Sequence, residues 1–409
     1  MNLKDDAYRI INSAIEAALP YTAVQKALEE ENFDSGRIFL VSIGKAAWSM
    51  ARATSDILKD KIEKGIVITK YEHSKGAIPN LDIYEAGHPI SDENSYKATK
   101  KALDLVRGLK EDDTVVFLIS GGGSALFEAP LLDLEEMEDI NNQLLGCGAS
   151  IVEINTIRKR LSSVKGGKFA QTCKPAKIFS IVLSDIINNP LDMIASGPAF
   201  PDSSTTEDAL KIIDKYNLRL SVKAIELMHM DTPKEISNTT TKITGSVEQL
   251  CYSAQKTCME LGYEPIILTT SLECEAKEAG KFLGSIGKYN KDTKKPLAFI
   301  VGGETVVRLT GKGLGGRNQE LALAAAEEIR GLNNIGLFSI GSDGTDGPTD
   351  AAGGYVDGES GLKLMDMGVN IHSVLANNDS YNALKNIDGL ILTGPTGTNV
   401  NDLAVLLVG

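Results

Sequence analysis

The chain has 409 residues, 42% of them hydrophobic and 24% charged, with a formal net charge of −13. That is the composition of a globular protein too long for one ordinary core, so two domains are expected. The acidic balance argues against a general nucleic-acid or anionic-membrane surface, and no apolar run approaches the ~20 residues of a membrane helix. The opening Met1-Asn2-Leu3-Lys4-Asp5-Asp6 places acids where a signal peptide carries positive charge, which predicts a cytoplasmic protein. The 5 cysteines are scattered without a CxxC and the 4 histidines lack zinc spacing, so reduced thiols are expected and a zinc site is not.

Short, nearly continuous apolar runs at 37–43, 65–69, 114–119 and 178–183 read as buried parallel strands, separated by longer stretches of helical spacing. One helix is expected from Ser91 as its N-cap, with Asp92 and Glu93 in the first turn, to near Gly108. The polar stretch 234–241, rich in Ser, Thr and Asn, is the expected boundary between domains 1–236 and 237–409. Beyond it, 264–268, 296–301, 335–340 and 389–392 are strand-like, and 247–261, 272–286, 319–329 and 373–384 are helix-like. Strands alternating with helices in this way predict α/β architecture with mainly parallel sheets. Whether the last segment packs back on the first domain is left open.

Polar and glycine residues gather where these strands end: Gly44-Lys45, Ser120-Gly121-Gly122-Gly123-Ser124, Asp185, Gly302-Gly303-Glu304, Ser342-Asp343 and the turn 394–397. Open α/β sheets bind ligands outside the carboxyl ends of their strands, where helix N-termini also gather. The 120–124 tract could be a mere strand-to-helix turn, but three consecutive glycines exceed a turn's needs and suit a backbone nest for phosphate or carboxylate. Lys45 opens a helical run, where the macrodipole disfavours a cation; a bound anion explains it better than a plain surface lysine. Arg158, Lys159, Arg160, Lys165 and Lys168 read first as a solvated face, with Arg158 or Lys165 as the members that serve a site.

No Walker motif GxxxxGK[ST] and no GxSxG occurs. The run 311–316 does match GxGxxG, yet the alternating residues 306–310 before it are unlike the buried first strand of a dinucleotide fold. Arg317 stands where a guanidinium could fork onto a phosphate or carboxylate. Asp343, Asp346 and Asp350 suit turns and caps, and equally suit Mg²⁺, which takes one or two carboxylates plus substrate phosphates. Asp185 could likewise cap a turn or accept a hydroxyl proton.

Together these stretches resemble the glycerate 2-kinase family whose C-terminal part is the MOFRL domain. The resemblance runs in order along nearly the whole chain: Ser42-Ile43-Gly44-Lys45-Ala46, Gly87-His88-Pro89, 120–126, 161–167, Leu183-Ser184-Asp185, Ala195-Ser196-Gly197-Pro198, 302–305, 315–320, 342–347 and 396–403. It implies ATP-dependent phosphorylation of D-glycerate at its 2-hydroxyl with a divalent cation such as Mg²⁺. It also implies two Rossmann-like α/β domains with the active site in the cleft between them. Lys45 and Arg317 match the family's cationic active-site pair, one on each domain, so that domain closure would assemble the site.

Residue type suggests the remaining roles. Ser120, Gly121, Gly122, Gly123 and Ser124 would hold an anionic end of a ligand, Asp185 would orient or deprotonate the glycerate hydroxyl, and Asp343 and Asp346 would bind Mg²⁺. Arg158, Lys165, Gly302, Glu304, Gly315, Gly316 and Asn399 complete the expected substrate and phosphate set, although an Asn-capped final helix explains 399–402 almost as well. The rival reaction is that of an NAD(P)H-dependent hydroxypyruvate reductase, which the GxGxxG match invites; the non-catalytic rival is a two-domain binder of a small acid. The expected partner is a small molecule, not nucleic acid or membrane, and oligomeric state is open between monomer and homo-oligomer.

Overall fold

The computed structural model describes residues 2–29, 31–33, 36–183 and 191–409, which form two compact units. The first takes in 23–183 and 191–244. Its strands are β1 (Ile38–Ile43), β2 (Ile62–Lys70), β3 (Leu81–Ala86), β4 (Thr114–Ile119), β5 (Lys177–Leu183) and β6 (Thr239–Thr244). They lie in the order β3-β2-β1-β4-β5-β6 with every neighbouring pair parallel. This is the strand order of the doubly wound dinucleotide-binding fold, in which the chain reverses direction of winding between β1 and β4. Both strands are buried along nearly their whole length, which is why they read as unbroken apolar runs. Phe117, Phe127 and Phe169 pack as a trio beneath them, with ring centroids 4.6–5.9 Å apart.

The helix Glu93–Val106 begins one residue later than expected, because Asp92 accepts the Ser95 N–H at 2.9 Å and Ser95 Oγ accepts the Asp92 N–H at 3.2 Å. Two edge strands escaped the sequence reading. β3 is half-exposed, and β6 lies inside the polar stretch taken as the boundary. The division between units therefore falls at 244/245, not 236/237.

The second unit comprises 2–22 and 245–409 among the described residues. Its strands are β7 (Glu264–Leu272), β8 (Leu297–Gly303), β9 (Ile335–Gly341), β10 (Gly353–Asp357), β11 (Leu390–Ile391) and β12 (Asp402–Val408), ordered β11-β10-β9-β12-β8-β7. Four of the six run the same way, but β10 and β12 run against them, so the only parallel pair among these strands is β7–β8. This unit departs from the order of the first. β12 is fully buried at the sheet's centre, so 399–402 cap no helix and the last segment completes its own unit. Because β12 runs backwards, its first residue, Asp402, lies opposite Gly303 and Gly341, at the carboxyl ends of β8 and β9.

The N-terminal helix Leu3–Ala18 also belongs here, burying Ala7, Ile10, Ile11 and Ala14 at helical spacing. Thr257 Oγ1 donates to Ser13 Oγ at 2.9 Å and Tyr263 Oη to Asp6 at 2.8 Å. The expected helix 373–384 is broken into Ile371–Ala376 and Ser380–Asn386 around Asn378, whose φ is 54°. No helix among the described residues is long and apolar enough to cross a membrane.

Candidate active site

In the first unit the loops after β1 and β4 meet at the point where the winding reverses, the usual ligand ground of this architecture. The Lys45 N–H donates to the Gly121 carbonyl at 2.8 Å, and Ser120 Oγ accepts the Ala46 N–H at 3.1 Å. Ser120 Oγ also donates to the Ile43 carbonyl at 3.2 Å. Ser120 is thus a buried tie between the loops, not a group offered to a ligand. Gly122 has φ +85°, and a Cβ there would lie 2.9 Å from His88 Cδ2 and 3.3 Å from Lys45 Cγ. The N–H groups of Gly121, Gly122 and Ser124 find no acceptor among the described residues, while Gly123 donates back to Ser120. These open amides lie beside the exposed Lys45, an arrangement with the donors a backbone anion nest requires.

Beneath this platform the cation-rich stretch is not solvated. Lys165 Nζ donates to the carbonyls of Ser124 at 2.7 Å and Phe127 at 3.1 Å and lies 3.3 Å from Glu128. An ammonium has three N–H bonds, and all three are taken. Burial lowers the Lys165 pKa to about 8, with Glu128 opposing. Burial also pushes the Glu128 carboxyl up, but Lys165 and Arg158 outweigh it and hold the group below its ordinary range. The pair is therefore ionised at neutral pH. Arg158 donates to the Ser124 carbonyl and to Glu128, both at 3.2 Å. Both cations hold the 120–124 loop from behind, so the ligand-contacting role expected of Lys165 gives way to support. Lys159 pairs with Asp202 at 2.9 Å, and Lys168 donates to the carbonyls of Lys159, Arg160 and Ser162, capping the helix Ile151–Leu161. Asp185 lies outside the described residues.

In the second unit Arg317 is the first residue of the helix Arg317–Glu328. Its Nε and Nη2 donate to Asp402 at 2.6 and 2.9 Å, and its Nη1 lies 3.1 Å from Glu304. Asn401 Nδ2 holds the other Glu304 oxygen at 3.0 Å. Burial pushes the Asp402 carboxyl up to about 6, with the Arg317 bonds opposing. Burial would lower the Arg317 pKa, but Asp402 and Glu304 raise it above its ordinary value. In the sequence Asp402 belongs to the tract 396–403 already singled out, but nothing there announces its partner 85 residues away.

Asp346 takes the Asn318 N–H at 3.1 Å and the Gln319 N–H at 2.9 Å, one on each carboxylate oxygen, so it caps the helix that carries Arg317. Gly316 makes this approach feasible, since a Cβ there would fall on the Asp346 carboxylate. With both oxygens committed, Asp346 does not fit the Mg²⁺ ligand the sequence suggests. The Asp343 carboxylate accepts, among the described residues, only the Thr345 N–H at 3.0 Å, on one of its two oxygens. Among the described residues, no cluster of three or more Asp, Glu, His or Cys side chains could hold a metal unaided. Asn399 is exposed, and Gly302 is backed against Val247 and Cys251.

A cavity of ≈ 940 Å³ opens beside Arg317, lined among others by Glu304, Thr305, Val306, Leu309, Gly313 and Glu320. The GxGxxG run forms part of its wall, but not as a dinucleotide loop. The Gly311 N–H donates to Asn378 and the Gly313 N–H to Asn377, and β8 ends eight residues before Gly311. The glycines permit this loop to lie against 377–380. Strand-end ligand ground in both units, with a cation held in each and without a dinucleotide fingerprint, marks an α/β enzyme working on anionic small molecules.

Residues 6–229 match the family model described as a domain of unknown function (DUF4147), and residues 297–402 match the MOFRL family. The chain is 52% identical to a D-glycerate 2-kinase of Thermotoga maritima, with 100% of this chain and 99% of that protein covered. A crystal structure of a Thermotoga maritima glycerate kinase matches with a TM-score of 0.95 at 52% identity, over 100% of this chain and 99% of that one. An Agrobacterium vitis relative provisionally named hydroxypyruvate reductase is 38% identical, over 98% of this chain and 93% of that protein. The chain belongs to the glycerate kinase family that carries a MOFRL domain.

Proposed function

We propose that this protein transfers the γ-phosphoryl group of ATP to the 2-hydroxyl of D-glycerate, giving 2-phospho-D-glycerate and ADP. The observation that carries this reading is the end-to-end match, at 52% identity, to the Thermotoga maritima D-glycerate 2-kinase. The geometry fits the chemistry. Phosphoryl transfer needs positioning and neutralisation of charge more than covalent help. Lys45 and the open amides of 120–124 supply positive potential in the first unit, and Arg317 supplies a fixed guanidinium in the second. The cavity beside Arg317 is far larger than a three-carbon acid requires and suits the nucleotide.

A divalent cation neutralises the donor's phosphates when bound; Asp343 is the carboxylate fitted to share it, and Asp346 is not. Asp185 is retained as the acid that orients the glycerate hydroxyl. We place the reaction in the cytoplasm, with D-glycerate as the partner. The reductase reading lacks its structural requirement, because the GxGxxG run does not join a strand to a helix in a tight turn.

Incubating the purified protein with D-glycerate, ATP and Mg²⁺ should give a 2-phosphoglycerate signal by ³¹P NMR that disappears without Mg²⁺. No phosphoester, together with NADH oxidation when hydroxypyruvate is supplied, would overturn the reading.

A further inference from the structure

The anion nest of the first unit has a neighbour to which neither the motif reading nor the kinase chemistry gives a role. His88 follows β3 and is half-buried. A Cβ on Gly122 would lie 2.9 Å from its Cδ2 and 3.0 Å from its Nε2, so the missing side chain of Gly122 is what lets the imidazole lie against this loop. Among the described residues nothing hydrogen-bonds to this ring. The same residues offer no acceptor to the N–H groups of Gly121, Gly122 and Ser124. Unpartnered donors and an unpartnered ring therefore lie side by side.

The surrounding charge is positive. Burial and then Lys45, Lys70 and His73 lower the His88 pKa, which keeps the imidazole neutral with one N–H to give. His73 Nδ1 is occupied at 3.1 Å by the Lys45 carbonyl, and Asp92, whose carboxylate lies beside Gly87, is engaged by Tyr71 at 2.6 Å and by Ser95. Among the described residues no acid pairs with His88.

We propose that His88 contacts the anion held by the 120–124 loop, donating its N–H to a carboxylate or phosphoryl oxygen there. The inference rests on the phosphoryl-transfer reading for the identity of that anion, D-glycerate or the nucleotide. An anion entering among these cations reverses the local field, so its binding must raise the His88 pKa.

The test is ¹H NMR titration of the four histidine Cε1 protons, with His88 assigned by its loss in His88→Gln. The titration is run on the free protein, with saturating D-glycerate alone, and with saturating ATP alone. One ligand should move the His88 midpoint up by about 1 pH unit and leave His229 and His372 in place. Movement with D-glycerate assigns a carboxylate, and movement with ATP assigns a phosphate. In steady-state assays H88A should raise the KM of that ligand about tenfold, with kcat changed much less and H88Q partly restoring it. If the enzyme phosphorylates D-glycerate but neither ligand moves His88, and H88A changes neither KM, this inference fails while the kinase reading stands. Absence of phosphoryl transfer in the wild type would instead remove the kinase reading.

Discussion

Replacing Lys165 by methionine separates support of the 120–124 loop from service to a ligand. Each hydrogen bond from a charged donor contributes roughly 1.5–3 kcal/mol, and removing one partner of a buried ion pair costs roughly 3–5 kcal/mol. The Lys165 side chain is 0% exposed and that of Glu128 2%, so little solvent screening intervenes. Arg158 remains on the same Glu128 oxygen at 3.2 Å, which places the expected loss at the lower end, about 3 kcal/mol. Without Lys165, burial dominates at Glu128 and the carboxyl can take a proton. The double variant E128Q/K165M, which removes both members of the buried pair and leaves only the partly exposed Arg158, should therefore be more stable than the two single losses added together, by about 1 kcal/mol or more.

A protein of two units need not unfold in a single step. The chain's 1 tryptophan resolves this, because Trp48 belongs to the unit that holds Lys165. Its indole N–H donates to the Gly76 carbonyl at 2.8 Å. Denaturant unfolding followed by Trp48 fluorescence at pH 7 thus reads the relevant unit in the wild type, both single variants and the double. Because Lys165 fixes the Ser124 carbonyl, K165M should also raise the KM for D-glycerate more than it lowers kcat. An unchanged K165M midpoint, or a cycle additive within about 0.5 kcal/mol, would refute the supporting role. A fully stable K165M with lost substrate affinity would restore the ligand role that its sequence context suggests.

Three further outcomes are expected. The Asp402 carboxyl, held at about 6 in the fold against an ordinary 3.8, keeps a proton that the unfolded chain loses in between. Its stabilisation is complete below 3.8 and lost as pH rises through 6. From pH 5 to pH 7.5 the wild type should therefore lose about 1.4 kcal/mol relative to D402N, read by amide exchange along β12; a difference growing with pH would contradict it. G122A combines φ +85° with neighbours at 2.9–3.3 Å, whereas G108A has φ +79° and nothing within 4 Å. Both should lose roughly 1–2 kcal/mol by Trp48 fluorescence, but only G122A should lose activity, about tenfold or more; equal activities would deny the nest. Finally, D343N should raise the Mg²⁺ concentration for half-maximal turnover, while D346N should leave it unchanged and cost about 1 kcal/mol of helix stability. Mg²⁺ titration giving the reverse order would make Asp346 the ligand.

Much of the first unit was legible because its central strands are buried on both faces, so β1 and β4 appear as apolar runs with little else to be. β6 was not, since an edge strand of Thr and Lys resembles a linker. β12 showed as an apolar run, but seven residues cannot be told from a helix by periodicity, and nothing local announces insertion between two distant strands. The site divides similarly. Lys45 stood out as a cation set against a helix N-terminus, and Arg317 as a guanidinium placed to fork onto an anion. What holds them did not. Glu128 and Lys165 meet across 37 positions and Arg317 and Asp402 across 85, and such pairings exist only after folding. Asp346 misled because an acid beside glycine and arginine looks the same as a metal ligand and as a helix cap.

The held state of Arg317 changes what a cation in this position means. One positive charge faces two carboxylates, so the group as a whole is anionic and would repel a phosphate approaching at random. The guanidinium nevertheless has five N–H bonds. The contacts to Asp402 and Glu304 use one each on Nε, Nη2 and Nη1, which leaves one on each Nη. Two N–H bonds on adjacent nitrogens are the fork that binds one phosphate or carboxylate bidentately. The two acids differ in exposure. Asp402 is 9% exposed and starts a buried strand, whereas Glu304 is 46% exposed at the end of one. Asp402 therefore fixes the plane of the guanidinium, and Glu304 is the contact that an arriving anion can displace. In the proposed reaction, preorganisation, not net charge, is what this arginine would offer a transferring phosphoryl group.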